Sequence, residues 1–226
     1  MKKSNNPIVL SRGNEKIHKA LIWNLPSRKT CPGATKICRE ICYAHNAEVL
    51  HNNVVPQSRA RNWKISKRDD FRELMIEKLS RARLPRMRIH ESGDFYSQKY
   101  LDDWVAIIKE FPNRTFWAYT KSWDLDFTEA LKLPNFFLRY SVDATTKHYP
   151  AQDMPQAAVS DSRDDYFVCP STLVKGHEVQ CMKDCSYCAE CRGSLTFRPH
   201  GSGAKKAKAL ETEILQKELE LEPASN

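Results

Sequence analysis

Three thiols fall within a dozen residues in the stretch Thr30-Cys31-Pro32-Gly33-Ala34-Thr35-Lys36-Ile37-Cys38-Arg39-Glu40-Ile41-Cys42-Tyr43-Ala44. Cys38 and Cys42 are four residues apart, so one helical turn carries both on the same side. Cys31 lies on the Pro-Gly loop just before them and can fold back to the same point. Three thiolates that converge from a turn and a helix make a cradle for a metal ion or an iron–sulfur cluster. The alternative is a set of ordinary buried thiols, since free cysteine packs as a small hydrophobe.

A second group argues against that alternative. Cys169-Pro170 is followed by Cys181, Cys185, Cys188 and Cys191. The last three repeat every third residue, the spacing with which ferredoxin-type loops wrap a cluster. A fourth ligand is then needed, and either Cys169 or Cys181 can supply it. Zinc is the main rival, because C-x2-C pairs hold it equally well by spacing. Cys181, Cys185 and Cys188 also match the three-cysteine signature of radical S-adenosylmethionine (SAM) enzymes. In those enzymes the signature follows the first strand, whereas here a whole βα series lies upstream, so we read that match as coincidental.

These cysteines need elements to position them. Ile8-Val9-Leu10 and Leu21-Ile22-Trp23-Asn24-Leu25 read as short strands, the second delivering the chain into the first cysteine loop. Residues 44–65 read as helical with a break near Pro56. Phe71, Leu74, Met75 and Leu79 make a helical stripe, with Asp69 or Asp70 as its cap. Three further strands are expected, at 86–91, 115–120 and 136–142. Helices fall between them: one capped by Ser97 with an apolar face from Tyr100 to Phe111, and a short one at 127–131. Two last short strands are expected at 157–160 and 166–168. Strand and helix alternate about every 25 residues, the pattern of βα units that build a parallel sheet or an incomplete barrel.

In such sheets ligands gather beyond the carboxyl ends of the strands. The polar residues just past those ends are therefore candidates: Ser92, Gly93 and Asp94, then Thr120 and Lys121, then Ser141 and Asp143. Each also suits a turn or cap, and the case rests on their recurrence at one edge. We expect an α/β domain over residues 8–165, a cysteine-rich metal- or cluster-binding segment over 166–201, and a charged helix or flexible tail over 202–226.

Composition limits the function classes. A hydrophobic content of 41% with 10% aromatic residues supports a packed core and not a disordered chain. No window approaches the roughly 18 apolar residues of a membrane helix, and the first residues do not form a signal peptide. A cytoplasmic chain keeps its thiols reduced, so eight cysteines point to ligation before disulfides. The formal charge of +8 permits contact with nucleic acid or with a host protein as generic electrostatics. Arg59, Arg61, Lys64, Lys67 and Arg68 form the densest basic patch, which reads as a solvated helical face.

With both cysteine groups in view, the chain resembles the phage "gene product 88" family, small proteins of bacteriophages and other mobile elements. The resemblance is carried by Thr30-Cys31-Pro32-Gly33-Ala34-Thr35, Cys38, Cys42-Tyr43-Ala44, Arg61-Asn62 and Arg88-Ile89-His90-Glu91-Ser92-Gly93-Asp94-Phe95. It continues through Phe116-Trp117-Ala118-Tyr119-Thr120-Lys121-Ser122, Pro134-Asn135, Cys169-Pro170, the cysteine repeat and His200-Gly201, and so covers about residues 8–201. It implies a phage or mobile-element protein and no particular reaction.

More distantly, the layout is similar to a trimmed radical SAM domain. That resemblance implies a [4Fe-4S] cluster on Cys31, Cys38 and Cys42 with one iron open to SAM, and places Gly93 and Asp94 near that cofactor. The spacing here is C-x6-C-x3-C, where radical SAM enzymes have C-x3-C-x2-C, and Ser-Gly-Asp replaces their Gly-Gly-Glu turn. Three functions are compatible with the sequence: a radical SAM-type enzyme with an auxiliary C-terminal cluster, a non-enzymatic iron–sulfur protein, and a zinc-stabilised binder of nucleic acid or host protein.

Overall fold

The computed structural model describes residues 6–13, 17, 19–160, 165–172, 186–199 and 203–221. Its framework is a seven-stranded sheet in which every strand pair is parallel. The strands are β1 (Ala20–Trp23), β2 (Arg86–Ile89), β3 (Thr115–Thr120), β4 (Phe136–Val142), β5 (Gln156–Val159), β6 (Phe167–Val168) and β7 (Leu195–Phe197). They lie in the order β1-β2-β3-β4-β5-β7-β6. The first five are thus laid down side by side in chain order, as successive βα units require.

The helices are α1 (Lys36–Glu40), α2 (Tyr43–Leu50), α3 (Val55–Ile65), α4 (Phe71–Ser80), α5 (Gln98–Lys109), α6 (Thr128–Leu131), α7 (Ser186–Glu190) and α8 (Ala204–Leu221). Side chains alternate between the two sides of a strand, and this alternation sorts the core into two layers. Leu21, Trp23, Met87, Ile89, Phe116, Ala118, Leu138 and Tyr140 face the large core built with α4, α5 and α6. Ala20, Ile22, Trp117, Ala157 and Leu195 face the other side, where Cys188 and Ala189 of α7 cover them. Trp23, Phe71, Tyr100 and Trp104 interlock at the centre of the large core, with ring centroids 5.7–6.4 Å apart.

The strands expected at 115–120 and 136–142 are found with those bounds. Ser97 caps α5 by accepting from Tyr100 N at 3.4 Å. Asp70 stands at the N-cap of α4 without capping it through its side chain, because its carboxylate is held by Arg68.

Three expectations need correction. Ile8, Val9 and Leu10 form no strand. The Asn62 side chain takes both polar groups of the Val9 backbone, and Ser11 makes an isolated bridge to Ile22 of β1. β7 was not anticipated; it inserts between β5 and β6. Cys38 and Cys42 do not share a helix. Arg28 donates to the Arg39 carbonyl at 2.6 Å, the acceptor that residue 43 would need for the helix to continue. α1 stops at Glu40, and Cys42 becomes the N-cap of α2.

The tail contains α8. Ala207 is buried, Gly203 sits against Ile41, and Lys206 pairs with Glu40 on α1. Among the described residues, no helix is long and apolar enough to cross a membrane.

Candidate functional site

β1 ends in a loop that lies across the carboxyl edge of the sheet. Two close approaches fix this loop. At Gly33, an added Cβ would stand 1.7 Å from the Lys121 carbonyl oxygen, so the loop backbone rests directly on the exit of β3. At Gly93, φ is +88° and an added Cβ would meet Leu25 and Thr30 Oγ1 at 2.6 and 2.7 Å; only glycine suits both the conformation and the space. Asn24 Oδ1 accepts from the backbone N–H of Glu91 and Ser92. Ser92 Oγ donates to Leu25 O, Asp94 N to Thr30 O, and Tyr43 Oη to Glu91 O at 2.6 Å. The cysteine loop and the turn after β2 are therefore one unit.

Asp94 fastens that unit to β3. One carboxylate oxygen accepts from Phe95 N and Thr120 Oγ1 and the other from Lys121 N, each at 2.7 Å. Burial nevertheless raises its pKa to about 6, against the pull of these donors. Asp143 follows β4 and accepts from Thr35 Oγ1 at 2.5 Å, Lys121 Nζ at 2.8 Å and Thr145 Oγ1 at 2.6 Å. Burial opposes its charge, but the Lys121 ammonium and these donors hold its carboxyl below the ordinary range. Lys121 Nζ also donates to Ser141 O at 3.0 Å. Thr35 caps α1 through Cys38 N at 3.2 Å, so Asp143 is wired to the helix that carries Cys38.

The thiols of Cys31, Cys38 and Cys42 share this environment. The Cys31 thiol is pushed far up by burial, then by the charges of Asp94, Cys38 and Cys42. Cys38 is raised to about 11 by burial, with Cys42, Asp143 and Asp94 adding and Lys121 opposing. The cysteine trio, Asp94, Lys121 and Asp143 thus gather at one edge, with Ser92, Gly93 and Ser141 as their framework. Even so, among the described residues no three His, Cys, Asp or Glu side chains are disposed as a ready-made metal site. The donor set suits a soft metal or an iron–sulfur cluster: three thiols from one short stretch of chain, spread over a loop, a helix and the next helix's N-cap.

A sequence profile of the family described as Gene product 88 matches residues 2–210. The chain belongs to the gene product 88 family. The Gene 88 protein of Mycobacterium phage D29 is 30% identical over 149 residues, which cover 60% of this chain and 62% of that protein. The Gene 88 protein of Mycobacterium phage L5 is 29% identical over 149 residues, with the same shares. The matched region therefore spans 62% of the length of these relatives. No solved structure matches the chain. The gene product 88 match runs past the resemblance read at residues 8–201 and into α8.

In this gene product 88 chain the second cysteine group occupies a different neighbourhood. Cys188, on α7, lies beside Cys169, Tyr119, Arg88 and Arg139, and its thiol is raised by burial. Cys191 Sγ accepts from Gly193 N at 3.4 Å. Cys181 and Cys185 lie outside the described residues. Arg88 packs over the Tyr119 ring with its guanidinium carbon 4.3 Å from the centroid. Tyr119 belongs to this second neighbourhood.

Arg139 is 1% exposed and donates to the carbonyls of Gly193, Cys188, Tyr187 and Cys191. Sequence reasoning missed Arg139, Thr35 and Thr145. Arg139 had one available signal, a cation in the apolar run Phe136-Phe137-Leu138-Arg139-Tyr140.

Proposed function

We propose that the protein is an iron–sulfur protein whose first cluster is held by Cys31, Cys38 and Cys42 at the carboxyl edge of a radical-SAM-like partial βα barrel. The observation that carries this reading is the convergence of the three thiols with Asp94, Lys121 and Asp143 on one loop system. The half-buried thiols of Cys31 and Cys38 are costly to ionise, because burial and neighbouring negative charge both oppose the thiolate, and ligation by a cationic centre offsets that cost. A [4Fe-4S] cluster held by Cys31, Cys38 and Cys42 would supply one-electron chemistry to a SAM molecule bound beside it.

The chain's own groups would do the remaining work. Asp94 locks the turn after β2 against β3, Thr35 orients the helix bearing Cys38, and the Lys121–Asp143 pair sets the charge of the pocket beside the thiols. The C-terminal group, comprising Cys169, Cys185, Cys188 and Cys191 with Cys181 as the other candidate ligand, would hold a second centre. The half-buried Arg88 and the buried Arg139 would balance its thiolate charge.

The test is iron and acid-labile sulfide analysis of anaerobically purified protein, followed by electron paramagnetic resonance of the dithionite-reduced sample with and without SAM. A reduced-cluster signal that shifts with SAM is the expected result, and Cys31→Ala, Cys38→Ala and Cys42→Ala should each abolish it. A cluster signal indifferent to SAM would keep the iron–sulfur reading and remove the enzyme. Zinc without iron would overturn the proposal.

A further inference from the structure

A cleft of about 480 Å³ opens beside the cysteine loop, between the exit of β1 and helix α3. It is lined by Pro26, Lys29, Pro56, Trp63, Lys64 and Lys67, with Glu48 at its wall. This volume falls in the range of small-molecule sites.

Its charge is uncompensated. Lys29, Lys64 and Lys67 are exposed, and among the described residues none of them pairs with a carboxylate. The one acid in the wall is already engaged. Glu48 accepts from Ser27 N at 2.8 Å, Ser27 Oγ at 2.6 Å and Arg59 Nη1 at 2.9 Å. Two ammonium groups instead crowd the half-buried Trp63, with Lys67 Nζ 3.7 Å and Lys29 Nζ 4.7 Å from the ring centroid. Like charges drawn to a single π surface repel each other, and a bound anion would relieve that repulsion.

We propose that this cleft binds a nucleotide unit, with the base stacked on Trp63 and the phosphate held by Lys29, Lys64 and Lys67. An aromatic plane ringed by cations is the arrangement that holds a base and its phosphate without reading sequence. The lysine stems are long and flexible, so an ammonium that now covers the indole can swing to the phosphate as the base takes its place. The ligand is either a free nucleotide or one residue of a single strand. This inference stands apart from the iron–sulfur reading, although Lys29 lies one residue before Thr30-Cys31.

The experiment is fluorescence anisotropy of a short labelled oligothymidylate with the full chain, at salt concentrations from about 50 to 200 mM. Lys29→Gln, Lys64→Gln and Lys67→Gln together should weaken binding about tenfold and flatten its salt dependence. Removing the same charge elsewhere, by Lys109→Gln, Lys132→Gln and Lys147→Gln, should change it less than about twofold. Trp63→Leu should cost about tenfold, while Trp63→Phe keeps a stacking plane, guards against misfolding and should stay close to wild type.

ATP displacing the oligonucleotide better than tripolyphosphate would support a site that also takes free nucleotides. Displacement by unlabelled oligonucleotide alone would support a single-strand site. Equal losses in the two triple variants, equal competition by ATP and tripolyphosphate, or no binding at low salt would each overturn the proposal.

Discussion

His90 shows how one residue at a strand end can set the pH response of the protein. It leaves β2 with φ +64°, a conformation uncommon for any side chain but glycine. Trp23 Nε1 donates to Tyr100 Oη at 2.7 Å, and the His90 Nε2–Tyr100 Oη distance is 2.9 Å. Either neutral tautomer of the imidazole can make this bond with the hydroxyl, and among the described residues the buried Nδ1 has no partner. Burial, with the Arg88 charge added, lowers the His90 pKa to about 3. The folded protein thus needs a neutral imidazole, while an unfolded chain protonates it near pH 6.5. The stability that depends on neutral His90 is complete above about pH 6.5 and is lost as pH falls towards 3, by about 1.4 kcal/mol per pH unit. Asp94, with its pKa raised to about 6, acts in the opposite direction between about pH 4 and 6, so wild type alone cannot isolate the histidine. His90→Asn can, since asparagine tolerates the left-handed backbone. Urea unfolding from pH 7 to 4.5 should show a smaller loss of stability in the variant than in wild type. Identical pH dependence would remove His90 from this role.

At the scale of elements, the decisive contact is the cysteine loop on the exit of β3. The atom that an added methyl at Gly33 would strike is a backbone carbonyl, which cannot rotate away as a side chain can. Gly33→Ala should therefore lift the loop or displace β3, costing about 2 kcal/mol or more. A lowered urea midpoint together with lost iron is the expected outcome; wild-type values of both would mean that the loop does not rest there.

Much of this layer is legible in the sequence because its signals are local. β3 and β4 are long runs of aromatic and β-branched residues between turn formers, and both Ser97 and Pro56 mark their helix starts. What stays hidden depends on distant partners. Asn62 replaces a strand ladder at Val9 from 53 residues away, and Arg28 ends α1. Thr35 meets Asp143 across 108 residues. β7 is three residues long and gains its place only between β5 and β6.

For the whole molecule, the two faces of the sheet are held by different means. One is covered by helices from the βα units, whose apolar stripes make a continuous core. The other is covered by the short α7 and the chain after it, with a smaller apolar contact. Arg139 compensates for that small contact. Rooted in the central strand β4, it gathers four carbonyls from residues 187, 188, 191 and 193, so a single guanidinium organises the backbone around Cys188 and Cys191. Lysine carries a point charge on a flexible stem and cannot reproduce this fan of donors. Arg139→Leu would strip the guanidinium from these carbonyls; Tyr187 O keeps Cys191 N as a donor, and each carbonyl left bare costs about 1–3 kcal/mol where no water reaches it. The segment should then detach while the large core survives. Limited proteolysis of Arg139→Leu should cut within residues 186–199 much faster than in wild type, with Arg139→Lys intermediate and the circular dichroism of the sheet and its helices retained. Equal protease resistance in all three proteins would show that the segment is held by its apolar contacts with the sheet, and that the second cysteine group does not depend on Arg139 for its position.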